Sequence, residues 1–320
     1  MQFRTELPAN RAPFSVTHTQ GILAIGSCFA ENIGDALAFR QFDIVCNPFG
    51  IVYQAAAIAA QLSCIMQSNF CFDESHLLLH NELWHSPLHH SRYAGTNKIA
   101  VLAQINSRLA AAQAHWQKTE VLLLTLGTAQ VFVDKKTGNA VANCHKRPAS
   151  DFEQQQQTVA DTIAVLTPVF EALLAQKPQL QIILTVSPVR YLREGLLQSA
   201  YSKATLLLAT AALTERFAQC HYFAAYQYLI DDLRDYRYYA DDMLHPNAAA
   251  IRYIWQKFSE SYFNVATQQL NTQIENWQAA RQHRLQHPDT AAAAAFVAQL
   301  TAATATLHRD YPFLRERLPA

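Results

Sequence analysis

The chain has 320 residues, half of them apolar, so it can bury a large core in one domain or in two. Its 25 basic and 25 acidic side chains cancel, which disfavours nucleic acid and membrane surfaces as partners. The N-terminus lacks the apolar core of a secretory signal, and no later segment holds the roughly 18 uninterrupted apolar residues of a spanning helix. We therefore expect a cytoplasmic protein. Its six scattered cysteines, without a CxxC pair, indicate reduced thiols.

Short β-rich segments recur along the chain and predict the strands of a sheet. They are ILAIG at 22–26, FDIVCN at 42–47, VLLLTLG at 121–127, QIILTVSP at 181–188 and HYFAAY at 221–226. Segments with helical periodicity, 101–117, 152–176 and 202–219, precede the last three. Parallel strands need crossover helices between them, so this alternation predicts an α/β fold with a parallel sheet.

Two regions depart from this alternation. Residues 65–100 are rich in His, Ser and Asn and predict a long insertion, which in a compact domain is often functional. The segment after residue 264 has high helix propensity and predicts two or three helices packed back on the core. We therefore predict a domain over 1–264, with a helical extension over 265–320 packed on that same domain. The oligomeric state stays open.

The first predicted strand ends in a glycine, a serine and a cysteine, where a helix begins. A serine hydroxyl at such a turn becomes a nucleophile only with a histidine base and a carboxylate that orients the imidazole. In YYADDMLHPN, Asp242 precedes His245 by three residues, so one turn could bring both groups to Ser27. Three alternatives remain: Ser27 caps the following helix, Cys28 is the nucleophile, or Asp241 orients the histidine.

An acyl-transfer site also needs N–H donors aimed at the developing oxyanion. The backbone N–H of Ser27 is one candidate. Gly50 and Gly127 end the second and third predicted strands, at the same edge of a parallel sheet. The chain has only eight glycines, so each is expected where only glycine fits. We therefore predict the Gly50 and Gly127 backbones close to the substrate.

Several motifs together resemble a known family. They are GSCFAENIG, NPFGIVY, LTLGTAQVF, NCHK, SPVRY, SKATL and DLRDYRYYADDMLHPN. In this order, over about residues 1–265, they resemble the GSCFA family, which is placed among the SGNH/GDSL-type hydrolases. The resemblance implies a flavodoxin-like three-layer sandwich with about five parallel strands. It also implies that Ser27 takes the nucleophile position and that Asp242 and His245 take the DxxH positions.

One departure from the wider superfamily concerns the oxyanion hole. That superfamily carries GxND after its third strand, where the Asn side chain helps to bind the oxyanion. Here the sequence continues from Gly127 with Thr128 and Ala129, so the amide is missing. Asn143 in NCHK is the nearest substitute, with His145 beside it. Either residue is a candidate for the missing donor.

The insertion histidines and one arginine have no assigned role in this scheme. The histidines are His85, His89 and His90. No carboxylate or cysteine at metal-ligand spacing accompanies them, so we expect no metal there, and a substrate-facing rim or a solvated loop remains. Arg190 follows the fourth strand, where it could bind a substrate anion or pair with Asp232 or Asp235.

Taken together, these features predict a cofactor-free serine hydrolase of SGNH type acting on an acyl ester of a small or carbohydrate-like substrate. Two alternatives use the same pocket. One is a non-catalytic or weakly catalytic domain that binds a glycan or acyl ligand, because a fold does not by itself imply an activity. The other is an acyltransferase that passes the acyl group to an alcohol instead of water.

Overall fold

The structure, a computed structural model, describes residues 5–318 and alternates strands with helices along most of the chain. Its strands are β1 (Gly21–Gly26), β2 (Asp43–Cys46), β3 (Leu78–His80), β4 (Leu83–His85), β5 (Thr119–Leu126), β6 (Gln130–Asp134), β7 (Ala140–Val141), β8 (Phe152–Gln156), β9 (Gln181–Val186) and β10 (Cys220–Phe223). Its helices are α1 (Cys28–Phe39), α2 (Ala55–Met66), α3 (Lys98–Lys118), α4 (Val159–Gln176), α5 (Leu196–Arg216), α6 (Ala225–Gln227), α7 (Ala248–Tyr262), α8 (Val265–Gln282) and α9 (Ala291–Asp310).

The central sheet has five strands in the order β2-β1-β5-β9-β10, and every neighbouring pair is parallel. Counted within the sheet, this order is 2-1-3-4-5, the flavodoxin-like arrangement. The predicted fold class is confirmed. In such sheets ligands bind beyond the carboxyl ends of the strands, so this edge is where a site is expected.

Helices cover both faces of the sheet, which explains why its strands are apolar throughout. Alternate residues of β1 point to opposite faces. Leu23 and Ile25 join the core beneath α2 to α5, whereas Ile22 and Ala24 join the core beneath α1 and α7. A strand buried on both sides therefore reads as a continuous apolar run instead of an alternating one.

The loops at the carboxyl edge carry two small antiparallel sheets. β3 and β4 form a hairpin between α2 and α3, within the predicted insertion. β6, β7 and β8 form a second sheet between β5 and α4. The prediction of a helix from residue 152 is wrong at its start, because 152–156 pair with β6 as β8 and α4 begins only at Val159. Thr158 caps α4 in a reciprocal capping box with Asp161.

The C-terminal helices α8 and α9 form a small core of their own. Its buried members are Leu270, Ile274, Trp277, Leu307, Leu314 and Leu318. Arg317 joins this unit to the main sheet, donating at 2.8 Å to the carbonyls of His18 and Gln41 and lying 3.5 Å from the Asp43 carboxylate. Residues 1–4 of the predicted domain and residues 319–320 of the predicted helical extension lie outside the described residues.

Within the described chain, α4 and α9 are long and apolar enough to cross a bilayer on length and composition alone. α4 packs Leu166, Phe170 and Leu173 into the main core beneath the sheet. α9 turns Leu307 toward α8. Buried helices of globular proteins meet the same criteria of length and composition.

Candidate active site

Ser27 lies at the junction of β1 and α1, at the carboxyl edge of the sheet. Its hydroxyl accepts the N–H of Phe29 (3.2 Å) and donates to Ser187 Oγ (3.0 Å). The residue is only 1% exposed. The preceding Gly26 has no room for a side chain, because a Cβ there would lie 2.3 Å from the Thr125 carbonyl oxygen. Ser27 therefore caps α1 in this conformation, whereas its role as a nucleophile stays a prediction.

Cys28, the neighbouring nucleophile candidate, is half-buried at the start of α1. Burial raises the pKa of its thiol, with a smaller opposing contribution from nearby backbone N–H groups. A thiol with a raised pKa holds little thiolate at neutral pH and is a weak nucleophile. The surroundings of Cys28 therefore favour Ser27 over Cys28 as the reactive group.

Asp242 and His245 form a hydrogen-bonded pair on the loop before α7. Asp242 Oδ2 lies 2.6 Å from His245 Nδ1, and Asp242 Oδ1 accepts the backbone N–H groups of Leu244 (2.8 Å) and His245 (3.0 Å). These bonds lower the pKa of the Asp242 carboxyl to about 2, the two backbone bonds contributing most. An ionised carboxylate on Nδ1 leaves the imidazole Nε2 to exchange protons. Asp242 is thus the residue that orients the imidazole, the position for which Asp241 was the alternative.

The end of β9 connects the serine to this pair. Ser187, which accepts the Ser27 hydroxyl, also accepts the N–H of Val189 (3.3 Å). The next N–H, that of Arg190, donates to the carbonyl of Leu244 in the loop of the pair (3.1 Å). Both predicted motifs therefore lie at the same sheet edge. Within residues 5–318 no hydrogen bond joins Ser27 to His245, whose side chain is 46% exposed.

The three predicted oxyanion donors are engaged in bonds within the protein. The N–H of Ser27 donates to the Thr125 carbonyl (3.2 Å), that of Gly50 to the Asn47 carbonyl (2.8 Å) and that of Gly127 to the Tyr53 carbonyl (2.7 Å). Each bond stabilises the loop that follows a strand. In this conformation none of the three N–H groups is free to meet a substrate oxygen.

The family model for the GSCFA family matches residues 21–258, which include Ser27, Asp242 and His245. The chain belongs to the GSCFA family. No curated protein matches it in sequence.

Several solved structures match this chain at low similarity. One, from Streptococcus pneumonia, is provisionally described as a platelet activating factor; it is 15% identical, with a TM-score of 0.38, covering 75% of this chain and 83% of its own. An acetyl esterase mutant with acetate ion, and a carbohydrate esterase family 3 protein from Talaromyces cellulolyticus, are each 11% identical. Both have TM-scores of 0.33 and cover 80% of this chain and 98% of theirs.

Asn143 and His145, the predicted substitutes for the missing GxND asparagine, brace a loop of the GSCFA domain. Asn143 Oδ1 accepts the N–H of His145 (2.8 Å), whose backbone has a φ of 51°. The His145 ring contacts the carbonyl of Ser86 through Nε2 (2.8 Å) and stacks on His85 at 4.5 Å. Burial lowers the pKa of His145 to about 4. Neither side chain has a hydrogen bond to Ser27 among the described residues.

The insertion histidines lie within the residues that the GSCFA family model matches, and two of the three are buried. His85 and His89 are 4% and 1% exposed, so a solvated loop is wrong for both. His89 Nδ1 lies 2.8 Å from the Ser86 hydroxyl, and His90 caps a short turn by accepting the N–H of Arg92. Nowhere between residues 5 and 318 do three or more His, Cys, Asp or Glu side chains form a group that could hold a metal.

Arg190 stacks on aromatic rings and does not pair with an aspartate. Its guanidinium lies 4.3 Å from the centre of the Tyr239 ring and 5.0 Å from that of Tyr236. The predicted ion pairs with Asp232 and Asp235 are wrong, because Asp232 accepts bonds from other groups and Asp235 pairs with an arginine of its own turn. These aromatic contacts hold the Arg190 guanidinium beside the Asp242–His245 loop, and they stabilise its positive charge without a carboxylate.

Lys203 is a buried group at this edge to which the sequence interpretation assigned no role. Its Nζ donates at 2.7 Å to the carbonyls of Gly127 and Ser187, which follow β5 and β9. It has no carboxylate partner in the described part of the chain, and burial lowers its pKa to about 7. The sequence could have indicated that Lys203 is buried, because its helical spacing places it on the same face of α5 as the buried Leu206 and Thr210.

Proposed function

We propose that this GSCFA-family protein is a serine hydrolase of SGNH type that cleaves an acyl ester of a small or carbohydrate-like alcohol. The observation that carries the proposal is the Asp242–His245 pair, with 2.6 Å between Asp242 Oδ2 and His245 Nδ1. The loop of this pair is bonded, from the Leu244 carbonyl to the N–H of Arg190, to the segment after β9 in which Ser187 accepts the Ser27 hydroxyl. A carboxylate on one imidazole nitrogen leaves the other to act as a base, which is the arrangement that activates a serine. We also propose a cytoplasmic setting, on the grounds given by the sequence.

In the proposed mechanism Ser27 turns from Ser187 toward His245 by a rotation about χ1, its softest torsion. His245 Nε2 takes the hydroxyl proton while Ser27 Oγ attacks the ester carbonyl carbon. The imidazolium then protonates the leaving alcohol and, as a base again, activates water to release the acid. Asp242 keeps the imidazole in one tautomer and stabilises its charged form.

A binding domain without catalysis is the second candidate, and specific contacts favour it. Ser27 is 1% exposed, and the three predicted oxyanion N–H groups are bonded to carbonyls of the protein itself. A protein that keeps this conformation with a ligand bound would hold a glycan or acyl group without attacking it. Acyl transfer to an alcohol shares every step up to the acyl-enzyme, and analysis of the products separates it from hydrolysis.

Labelling with a fluorophosphonate probe, together with the rate of p-nitrophenyl acetate hydrolysis, tests the proposal. We expect a covalent adduct on Ser27 in the wild type, and a rate lower by at least about 10³-fold in Ser27→Ala. The substitution also removes the cap of α1, so the free energy of unfolding should fall by about 1 kcal/mol.

Cys28→Ala is the matched control, because it removes the adjacent nucleophile and leaves the hydroxyl. It should keep both the label and most of the activity. A folded wild type that takes no label and hydrolyses no ester would favour the binding domain. Loss of activity only in Cys28→Ala would move the nucleophile by one residue.

A further inference from the structure

The oxyanion of the proposed reaction lacks a side-chain donor at the place where the superfamily has an asparagine. The nearest predicted substitutes are used elsewhere, since Asn143 caps its own turn and His145 contacts the Ser86 carbonyl. A residue that already contacts Ser27 is well placed to donate to an oxygen on the carbon that Ser27 attacks. Ser187 is such a residue, at 3.0 Å between the two hydroxyl oxygens.

The Ser187 hydroxyl has one unused hydrogen. A hydroxyl has two lone pairs and one hydrogen. Ser187 Oγ accepts from the Ser27 hydroxyl (3.0 Å) and from the N–H of Val189 (3.3 Å), so both lone pairs are occupied. Across residues 5–318 no hydrogen bond is donated by the Ser187 hydroxyl, although the residue is only 1% exposed. Buried donors are nearly always paired, so an unpaired one beside a candidate nucleophile points to a bond made only when substrate is present.

We propose that the Ser187 hydroxyl is the side-chain donor that binds the oxyanion when Ser27 attacks an ester. This inference rests on the proposed function. When the Ser27 proton passes to His245, the Ser27 oxygen bonds to the carbonyl carbon and the π electron pair moves to the carbonyl oxygen. That oxygen is attached to the same carbon as Ser27 Oγ. When Ser27 turns toward His245 its bond to Ser187 breaks, and the Ser187 hydroxyl, which lies 3.0 Å from Ser27 Oγ before that turn, is left beside the new tetrahedral carbon, where it can donate to the oxyanion. Collapse of the intermediate returns the electron pair and expels the alcohol.

Lys203 holds Ser187 for this role. Its Nζ bridges the Ser187 carbonyl and the Gly127 carbonyl at 2.7 Å each, which fixes the ends of β9 and β5 relative to one another. The groups facing it are these two carbonyls, the Cys28 thiol and the ring of Tyr226 at 5.9 Å. In its protonated form this amine has no carboxylate partner among the described residues, and a positive charge in a water-poor site favours negative charge nearby.

Ser187→Ala tests the proposal on p-nitrophenyl acetate. We expect kcat to fall by about 10²–10³-fold, with KM within about threefold of the wild type, because the bond forms only in the transition state. Binding of phenylboronic acid, which forms a tetrahedral adduct with an active serine, should weaken in parallel. The matched control is Thr185→Val, which removes a buried hydroxyl from the same β9 strand, where Thr185 donates to the Phe223 carbonyl (2.7 Å). It should lower the melting temperature and leave kcat unchanged.

The outcomes separate this inference from the proposed function. A wild type that is neither labelled at Ser27 nor active overturns both. A labelled, active wild type whose Ser187→Ala variant keeps its kcat and its boronate affinity overturns the role of Ser187 alone. A fall in melting temperature equal to that of Thr185→Val, with kcat unchanged, gives Ser187 a structural role and also overturns the inference.

Discussion

The two halves of the candidate site lie in opposite surroundings. Ser27 is 1% exposed and bonded on both sides by the protein, through Phe29 and Ser187. His245 has a side chain that is 46% exposed, and the described bond of its imidazole is the one to Asp242. One half is thus positioned by the packed ends of the strands and the other by a turn on the surface.

This difference indicates how each half of the site can move. Breaking the Ser27–Ser187 bond requires one side-chain rotation, whereas the packed backbone around it has little freedom. The loop of the pair is tied by a few backbone bonds, among them Ala240 to the His245 carbonyl and Arg190 to the Leu244 carbonyl. Loops with few buried contacts open at low free-energy cost. Ser27 can therefore move by rotation of its side chain on a fixed backbone, whereas His245 can move with the backbone of its loop.

His245→Ala should give the largest effect and tests the exposed half directly. Loss of the base is expected to lower the rate of p-nitrophenyl acetate hydrolysis by at least about 10³-fold. The melting temperature should hardly change, because surface substitutions cost little stability. Asp241→Asn is the matched control on the same loop and should retain activity. Equal activity in wild type and His245→Ala would remove the pair from the mechanism.

Acid titration should reduce the stability of a buried part of the domain outside both halves of the site, the loop that contains His145. Burial lowers the pKa of His145 to about 4, and the neighbouring His85 and Arg147 act in the same direction. A histidine whose pKa is lower folded than unfolded binds its proton more readily in the unfolded chain. Its contribution to stability is therefore complete above about pH 6.5, the ordinary value, and is lost as the pH falls toward 4.

The size of this loss is on the order of 3 kcal/mol for His145. We expect the melting temperature to fall between pH 7 and pH 4, and to fall less steeply in His145→Gln, whose amide can still donate to the Ser86 carbonyl. His76→Gln serves as the control, because His76 is a surface histidine. Identical pH profiles for wild type and His145→Gln would show that His145 does not carry this stability.

Asn143→Ala should have the smallest effect. The Asn143 side chain accepts one N–H in its own turn, a bond worth about 1 kcal/mol. We expect a lower melting temperature and hydrolysis within about twofold of the wild type. A rate at least about tenfold lower with an unchanged melting temperature would instead return Asn143 to the oxyanion hole.

The sequence predicted the sheet well because its three central strands, β1, β5 and β9, are buried on both faces and each of them is followed by a glycine or a polar residue. It also predicted that Ser27 and the Asp242–His245 loop share an edge, which follows from parallel topology. It could not predict that Ser27 bonds Ser187, because that contact joins residues 160 positions apart across a third strand. β8 was missed because FEQQQQ is polar, and its β conformation depends on pairing with β6.

Arg317 affects whether the edge of the central sheet can pair with strands of other molecules. β2 is one of the two outer strands of the sheet, and an outer strand with unpaired backbone groups can pair with a strand of another chain and seed aggregates. Here it is four residues long, and its first residue, Asp43, is held by Lys118 at 2.6 Å and by Arg317 at 3.5 Å. Short length and charge are two ways in which sheets avoid such joining. The C-terminal segment, through Arg317, therefore helps to protect this edge of the sheet.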